Sequence, residues 1–151
     1  MKITTDIKLS LKTKEVEDKV KKATKQGLAD VVRDIANDAI KLSPKKDGEN
    51  MRSIKYEVGP GGEVAKGELE GAVYSTSGYG GYLEVGTGLF GPKKQMIIPR
   101  TAKMLVWEGK GGKLIFAKAV RGRPATPYFK PALDKNAKNL PKNMKAHLGS
   151  G

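Results

Sequence analysis

Hydrophobic residues repeat every second position at the start of the chain and every three to five positions after it. Over residues 2–11, mostly Ile and Leu alternate with polar residues, which is the period of a strand with one buried face. Over residues 13–42 the apolar positions form one stripe at helical spacing, so we predict a long helix. Thr13 can cap its start, and Ser43-Pro44 ends it because the residue before a proline avoids helical geometry.

Two short strands and a glycine-rich loop are expected next. Residues 44–50 form a polar loop, and residues 52–58 then alternate again. Gly59-Pro60-Gly61-Gly62 is a turn, and residues 63–75 are predicted to be the returning strand. Residues 86–92 contain too many glycines for regular structure, so we expect an exposed loop there.

The last third of the chain predicts a hairpin and a second helix. Residues 103–108 and 113–120 alternate around Gly109-Lys110-Gly111-Gly112, whose glycines supply the positive backbone angles of a tight loop. A final helix is predicted over residues 129–147, kinked or ended by Pro141. The order of elements predicts an α+β fold, in which a long N-terminal helix and a C-terminal helix pack on an antiparallel β-sheet.

The composition fits one ordinary domain. The chain has 151 residues, and we expect a single domain over residues 1–148 with a disordered C-terminal end at 149–151. There is no cysteine, which excludes disulfides and thiolate metal sites. No stretch approaches the ~18 apolar residues of a membrane span, and no secretory signal is seen. We therefore expect a protein that is made and used in a cytosol, without a membrane partner.

The net charge of +13 is concentrated in the last third of the chain. Residues 101–151 hold eleven Lys and Arg against two Asp and Glu, whereas residues 1–50 hold twelve against nine and residues 51–100 hold six against five. This asymmetry indicates a polyanionic or acidic partner, either nucleic acid or an acidic protein surface. A solubilised, Lys-rich surface explains the same charges equally well.

No catalytic, cofactor-binding or metal-binding residue is predicted. The glycine loops at 59–62 and 109–112 lack the spacing of a phosphate-binding loop, and neither leads from a strand into a helix. The one histidine, His147, lies close to the C-terminus, where a catalytic triad or a metal cluster is not expected.

Three aspartates recur at every fourth position of the long helix, where carboxylates on one face could bind a metal ion. Asp30, Asp34 and Asp38 share one helix face, and Arg33 and Lys41 are among the cations around them. A row of this kind is usually a solvated face. Ion pairing within the helix therefore explains it better than a metal does.

Glu84 is the remaining carboxylate of interest, because it directly precedes the turn at Gly86-Thr87. A buried carboxylate could be catalytic, or it could accept hydrogen bonds from backbone N–H groups of that turn. No base or nucleophile accompanies it in the sequence. We therefore expect Glu84 to brace the turn, and Tyr79 and Tyr82 to anchor the segment to the core.

Basic and aromatic residues occur together around the predicted hairpin. They are Lys110, Lys113, Lys118, Arg121 and Arg123, with Trp107, Tyr128 and Phe129 nearby in sequence. Such a combination can hold a phosphate backbone and stack on bases. Helix-turn-helix, zinc-finger and RRM motifs are missing, and the aromatics fall where core contacts are expected. Non-specific contact with DNA therefore stays open.

Three separated stretches follow the order and spacing of a known family. The first contains Ser43, Pro44, Gly48, Ser53 and Ile54; the second is Tyr79 to Thr87, with Tyr82, Glu84 and Gly86; the third is Pro127 to Leu133, with Phe129 and Pro131. With these stretches the chain resembles, over residues 13–140, the gene-product-ten-like family of siphophage minor tail or neck components.

The first stretch departs from the family pattern at two places. Lys46-Asp47 stands where the family has Asp-Thr, and Asn50 stands where it has a leucine. Met51 is a candidate to replace that leucine in the packing of the loop.

The resemblance implies a structural virion protein without catalytic activity or cofactor. It implies a neck or tail-completion protein at the phage head–tail interface, needed for joining or completing the tail. A tail terminator ring protein and a non-specific nucleic-acid-binding module are the alternatives. The implied partners are further copies in a homo-oligomer, by analogy a hexameric ring, and head–tail connector, tail terminator or tail tube proteins, with non-specific contact to phage DNA. Assembly would take place in the bacterial host cytoplasm.

One face of such a ring is expected to be the loop 86–100 together with the basic hairpin, since closed rings join two different faces of each copy. The residues assigned to this face are Phe90, Lys93, Lys94, Lys110, Lys113, Arg121 and Arg123.

Overall fold

A computed structural model describes residues 2–4, 14–45 and 48–150 of the chain. In chain order the helices and strands are β1 (Lys2–Thr4), α1 (Lys14–Leu42), α2 (Glu49–Ser53), β2 (Ile54–Val58), β3 (Glu70–Ser75), α3 (Gly80–Val85), β4 (Leu105–Glu108), β5 (Leu114–Ala117), α4 (Phe129–Asn136) and α5 (Leu140–Gly149). The α+β class predicted from the sequence is confirmed. The strands form two antiparallel sheets, one of order β1-β3-β2 and one consisting of the β4–β5 hairpin.

The chain divides into two compact units. The first unit comprises residues 1–78 and 128–151, and the second comprises residues 79–127. The single domain expected over residues 1–148 stays a prediction, because the division says nothing of how the two units behave in solution. The disordered end expected at 149–151 also stays a prediction: Gly149 closes α5, and Gly151 lies outside the described residues.

Several predicted boundaries move. The predicted loop at 44–50 gives way to the short helix α2 from Glu49 onward, and the returning strand begins only at Glu70 instead of at residue 63. Pro141 stands in the first turn of α5, so the predicted interruption of the last helix is confirmed. Thr13 and most of the strand predicted over 2–11 lie outside the described residues.

The centre of the first unit is one face of α1. Its buried residues are Ala23, Thr24, Gly27, Leu28, Val31, Val32, Ile35, Ala36 and Ala39. The β1-β3-β2 sheet lies against this face at a glycine: a Cβ on Gly71 would overlap the side chain of Val32 and reach that of Leu28. Glycine is therefore required where the sheet approaches the helix.

Gly27, a weak point of α1 by helix propensity, is where the C-terminal helix crosses. A Cβ on Gly27 would lie 2.8 Å from the backbone nitrogen of Met144 in α5. The ~1 kcal/mol that a glycine costs relative to alanine within a helix is offset here by close packing of two helix backbones.

Ion pairs join α1 to the C-terminal helices. Asp30 lies 2.6 Å from Nε2 of His147, and Asp38 accepts from Lys135 at 2.8 Å and from the side-chain amide of Asn136 at 2.8 Å. The hydrogen bond from His147 lowers the pKa of Asp30, and that from Lys135 lowers the pKa of Asp38. The aspartate face of α1 therefore serves to hold the C-terminal helices.

The ion pairing predicted within α1 is confirmed at two aspartates. Asp30 pairs with Arg33 at 2.8 Å, and Asp38 pairs with Lys41 at 3.7 Å. The contacts to the C-terminal helices could not be read from helical spacing, because their partners lie about a hundred residues away in the sequence.

The connection between β2 and β3, residues 59–69, is fixed by a carboxylate of the sheet. Glu57 accepts hydrogen bonds from the backbone N–H groups of residues 63–65 at 2.9–3.0 Å and from the Tyr74 hydroxyl at 2.6 Å. The Tyr74 hydroxyl and these N–H groups lower the pKa of Glu57 to about 2. The residues expected to extend the strand instead form a loop, because one side chain satisfies three of their backbone donors.

Candidate interaction surface

The first family-like stretch forms the link from α1 to the sheet. Gly48 caps α2 with φ +65°, a left-handed conformation that favours glycine. A Cβ there would lie 2.6 Å from a guanidinium nitrogen of Arg52. Pro44 follows the last turn of α1, in which Ser43 N–H donates to the Ala39 carbonyl at 2.8 Å. These residues shape the backbone of the scaffold.

Asn50, which departs from the family pattern, is the centre of a buried polar network. Its Nδ2 donates to Ser43 Oγ at 2.9 Å, and its Oδ1 accepts from Ser75 Oγ and Ser77 Oγ, each at 2.8 Å. The Tyr128 hydroxyl donates to the same oxygen at 3.4 Å. The asparagine is compatible with burial because hydroxyl groups from three parts of the sequence satisfy it. This role of Asn50 was not predicted from the sequence, although the serines that bind it are present there.

The third stretch meets the first through this network. Tyr128 is fully buried and Phe129 nearly so, with their ring centroids 4.4 Å apart. Pro131 lies in the first turn of α4, as expected, and is exposed, as is Pro127 before the helix. The core position expected for Tyr128 and Phe129 is confirmed. Both stretches therefore belong to the packing of the first unit.

The second stretch lies in the second unit. It forms α3 (Gly80–Val85) and an irregular segment that pairs with the residues after the hairpin. Thr87 N–H donates to the Arg123 carbonyl and Arg123 N–H donates to Thr87 Oγ1, both at 2.9 Å. Leu89 N–H donates to the Arg121 carbonyl at 2.8 Å. These hydrogen bonds stabilise the turn at Gly86-Thr87, which Glu84 was expected to brace.

Three glycines allow the two segments to approach. Gly86 has φ +80°, and a Cβ on it would lie 2.9 Å from the backbone nitrogen of Ala125. On Gly88 or Gly122, a Cβ would overlap a carbonyl group of the opposite segment. The exposed loop predicted over residues 86–92 is therefore wrong in part: it contains a turn of 3-10 helix at Gly88–Phe90, and Gly86 and Gly91 are buried. Its glycines allow close backbone pairing as well as positive φ.

The role predicted for Tyr82 is wrong. Its side chain is 63% exposed, because a helix of six residues turns only one side towards the rest of its unit, and Leu83 lies on that side with its carbonyl accepting from Thr126 N–H at 2.7 Å. Tyr79 is half-buried. The bracing role of Glu84 stays a prediction.

The hairpin of β4 and β5 exposes large apolar side chains on both faces. Its strands pair Val106 with Phe116 and Trp107 with Ile115. Five of its large apolar side chains are 40–59% exposed, and Leu105 is half-buried. The core position expected for Trp107 is therefore wrong: a two-stranded hairpin has no layer of its own to cover either face.

The residues predicted for the interface all lie on the surface of this second unit. They are Phe90, Lys93, Lys94, Lys110, Lys113, Arg121 and Arg123, and each is exposed. Within the part of the chain that the structure describes, none of the six cations makes an ion pair with an acidic side chain. Residues 79–127 hold nine Lys and Arg against two Glu, a net charge of +7. Their role in an interface stays a prediction.

The two depressions found among the described residues lack the groups of a catalytic site. Two open depressions, of about 260 and 480 Å³, lie in the second unit, and neither is lined by a carboxylate or a histidine. Among residues 2–4, 14–45 and 48–150, no His, Cys, Asp or Glu residues cluster so as to hold a metal ion. No described helix is both long and apolar enough to cross a membrane.

Comparison with known proteins agrees with the first two of the three stretches. The family described as “Bacteriophage HK97-gp10, putative tail-component” matches residues 7–86. This match includes the first stretch and nearly all of the second. Searches of curated proteins and of solved structures gave no match. Since the matched residues make up more than half of the chain, the chain belongs to the HK97 gp10-like family of bacteriophage tail components.

Proposed function

We propose that this tail component acts at the phage head–tail interface, as a neck or tail-completion protein without catalytic activity. One observation carries the proposal. The second unit combines exposed apolar side chains on the hairpin with a net charge of +7. An apolar, charged surface of this kind is typical of a protein–protein contact site.

The proposed place of action is the virion, after assembly in the cytoplasm of the bacterial host. The chain would form a ring of identical copies, hexameric by analogy with the symmetry of siphophage tails. It would contact a connector, tail terminator or tail tube protein on either side. A tail terminator ring protein is the nearest alternative within the same class, and the same surface supports it.

Contact with DNA is the second candidate function. It is favoured by the unpaired cations and by Trp107, an aromatic side chain 41% exposed beside them. Binding through phosphates would weaken steeply with salt. A monomer that binds DNA in this salt-sensitive manner, and has no affinity for phage particles, would contradict a role in the neck.

The test is deletion of the gene in the phage that encodes the chain. We expect filled heads and separate tails in electron micrographs, with joining restored by the gene supplied in trans. Substitution of both Arg121 and Arg123 by Glu should block joining in the same assay without unfolding the protein. Lys138→Glu with Lys142→Glu, on exposed positions of the C-terminal segment of the first unit, is the matched control. Normal joining by the deletion phage would overturn the proposed function.

A further inference from the structure

We propose that the β4–β5 hairpin of one copy docks on the free edge of β2 in a second copy of this chain. The proposal deepens the ring of identical copies and rests on that part of the proposed function. It assigns the two unlike faces that such a ring requires: the hairpin is one, and the β2 edge with the connection 59–69 beside it is the other.

The second unit, which contains the hairpin, exposes apolar side chains that a partner would cover. Across residues 79–127, twelve large apolar side chains are exposed. Five of them lie on the two strands of the hairpin, where each is 40–59% exposed: Val106, Trp107, Leu114, Ile115 and Phe116. Exposed apolar side chains that occur together in this way mark a surface for contact with another protein.

The chain offers a matching strand edge. Among the described residues, β2 pairs with β3 alone and forms one end of the β1-β3-β2 sheet. Strand β4 likewise pairs with β5 alone. Strands β2 and β4 have five and four residues, so β4 is long enough to bind the backbone groups along most of the free edge of β2. Unpaired edges of this length are sites of strand addition.

Charge favours this pairing over contact between two hairpins. The segment 54–75, which contains β2, β3 and their connection, holds four Glu against two Lys. Lys21 of α1 pairs with Glu68 of this segment at 2.6 Å, so the segment together with Lys21 has a net charge of −1. The second unit carries +7, so two hairpins repel each other, whereas a hairpin and this segment attract.

Tyr56 gives the edge an apolar contact. Its side chain is 50% exposed although its neighbours in β2 and β3, Ile54 and Val73, are buried. An added strand would cover the tyrosine ring, which combines apolar area with low conformational entropy and is a common anchor at interfaces.

Because the chain has no cysteine, crosslinking tests the arrangement without background. Two single variants of the full chain, Tyr56→Cys and Val106→Cys, are purified separately, distinguished by mass, mixed and treated with a short bis-maleimide. We expect crosslinks between the two variants at least tenfold above those between Val106→Cys and Lys142→Cys, which lies on an exposed position of α5. The double variant Tyr56→Cys/Val106→Cys should give a ladder of crosslinked species.

Light scattering of the cysteine-free chain completes the test. Self-association should weaken roughly tenfold or more in Phe116→Ala, since loss of an aromatic at the centre of an interface has effects of this size, while circular dichroism stays unchanged. Crosslinking of Val106→Cys with itself as efficiently as with Tyr56→Cys would overturn the proposal, as would a monomer at every concentration. A phage deletion that still blocks joining would then leave the neck function standing, and only the arrangement of the ring would fail.

Discussion

The two units of this chain differ in how far internal contacts satisfy their polar and apolar side chains. In the first unit, a buried asparagine has hydroxyl partners on every side, and carboxylates of α1 and β2 bind cations or backbone donors. In the second unit, cations lack acidic partners among the described residues, and it contains twelve of the sixteen large apolar side chains that are exposed there. Internal contacts thus satisfy the polar groups of the first unit, whereas the second unit leaves cations and apolar side chains exposed.

This difference separates two kinds of sequence constraint. In the first unit a substitution removes an internal contact, so its effect should be seen in stability. In the second unit a substitution on the hairpin removes surface that meets only solvent in the single chain, so its effect should be seen in association. The predictions below test whether substitutions in the two units differ in this way.

The largest effect is expected from one substitution made at two phenylalanines. Phe129→Ala should lower the free energy of unfolding by about 3–5 kcal/mol, because its ring is buried in the first unit. Phe116→Ala should change it by less than about 0.5 kcal/mol, because that ring is 57% exposed. Urea unfolding followed by circular dichroism measures both. Equal losses would contradict the distinction.

A pair of glycine substitutions should give the next largest effect. Gly71→Ala should destabilise the chain by about 2–3 kcal/mol, because its methyl group overlaps the Val32 side chain. Gly81→Ala is the matched change in the second unit, where a Cβ meets nothing within 4 Å, and it should be neutral or slightly stabilising. Thermal unfolding of both variants tests the contact, and a neutral Gly71→Ala would show that α1 and the sheet are more loosely packed.

Removal of the polar centre should cost about 2 kcal/mol. Asn50→Ala removes the buried amide oxygen that accepts from the half-buried hydroxyls of Ser75 and Ser77. Asn50→Leu restores the residue of the family pattern and should still be destabilising, because those serines remain. Asn37→Ala, on the exposed side of α1, serves as the control. Higher stability in Asn50→Leu would mean that the network contributes nothing.

The smallest effect concerns acid pH. The pKa of Glu57 is lowered to about 2 in the folded chain, and those of Asp30 and Asp38 are also lowered. A depressed carboxyl pKa contributes stability above the unfolded value, so this contribution should be lost as the pH falls from about 4.5 towards 2. Urea midpoints measured across that range should fall less steeply in Glu57→Gln. An identical pH profile in the variant would exclude Glu57 as a contributor.

The sequence predicted elements whose partners are nearby in the chain. The long helix, the hairpin and the break at Pro141 follow from local spacing and from glycine and proline geometry, and the structure confirms them. The helical turn at Glu49 was not predicted because a helix of five residues is too short to show a period. The loop at 63–69 was not predicted because alternation does not reveal that the Glu57 side chain binds the backbone N–H groups of residues 63–65.

The candidate site divides in the same manner. All seven predicted interface residues are exposed, and six of them are Lys or Arg, which are rarely buried. The exposed apolar faces of the hairpin were not foreseen, and Trp107 was expected in the core. Alternation of apolar residues indicates a face to be covered, and it cannot distinguish cover by the same chain from cover by a partner.

We expect assembly into the phage particle to cover the surface that the second unit exposes in the free chain. Hydrogen–deuterium exchange measures this directly, by comparing the peptide over residues 103–118 in the free chain with the same peptide in assembled phage particles. We expect rapid exchange of these amides in the free chain and strong protection in particles, with little change in the buried face of α1. Equal exchange of the hairpin in both states would contradict it.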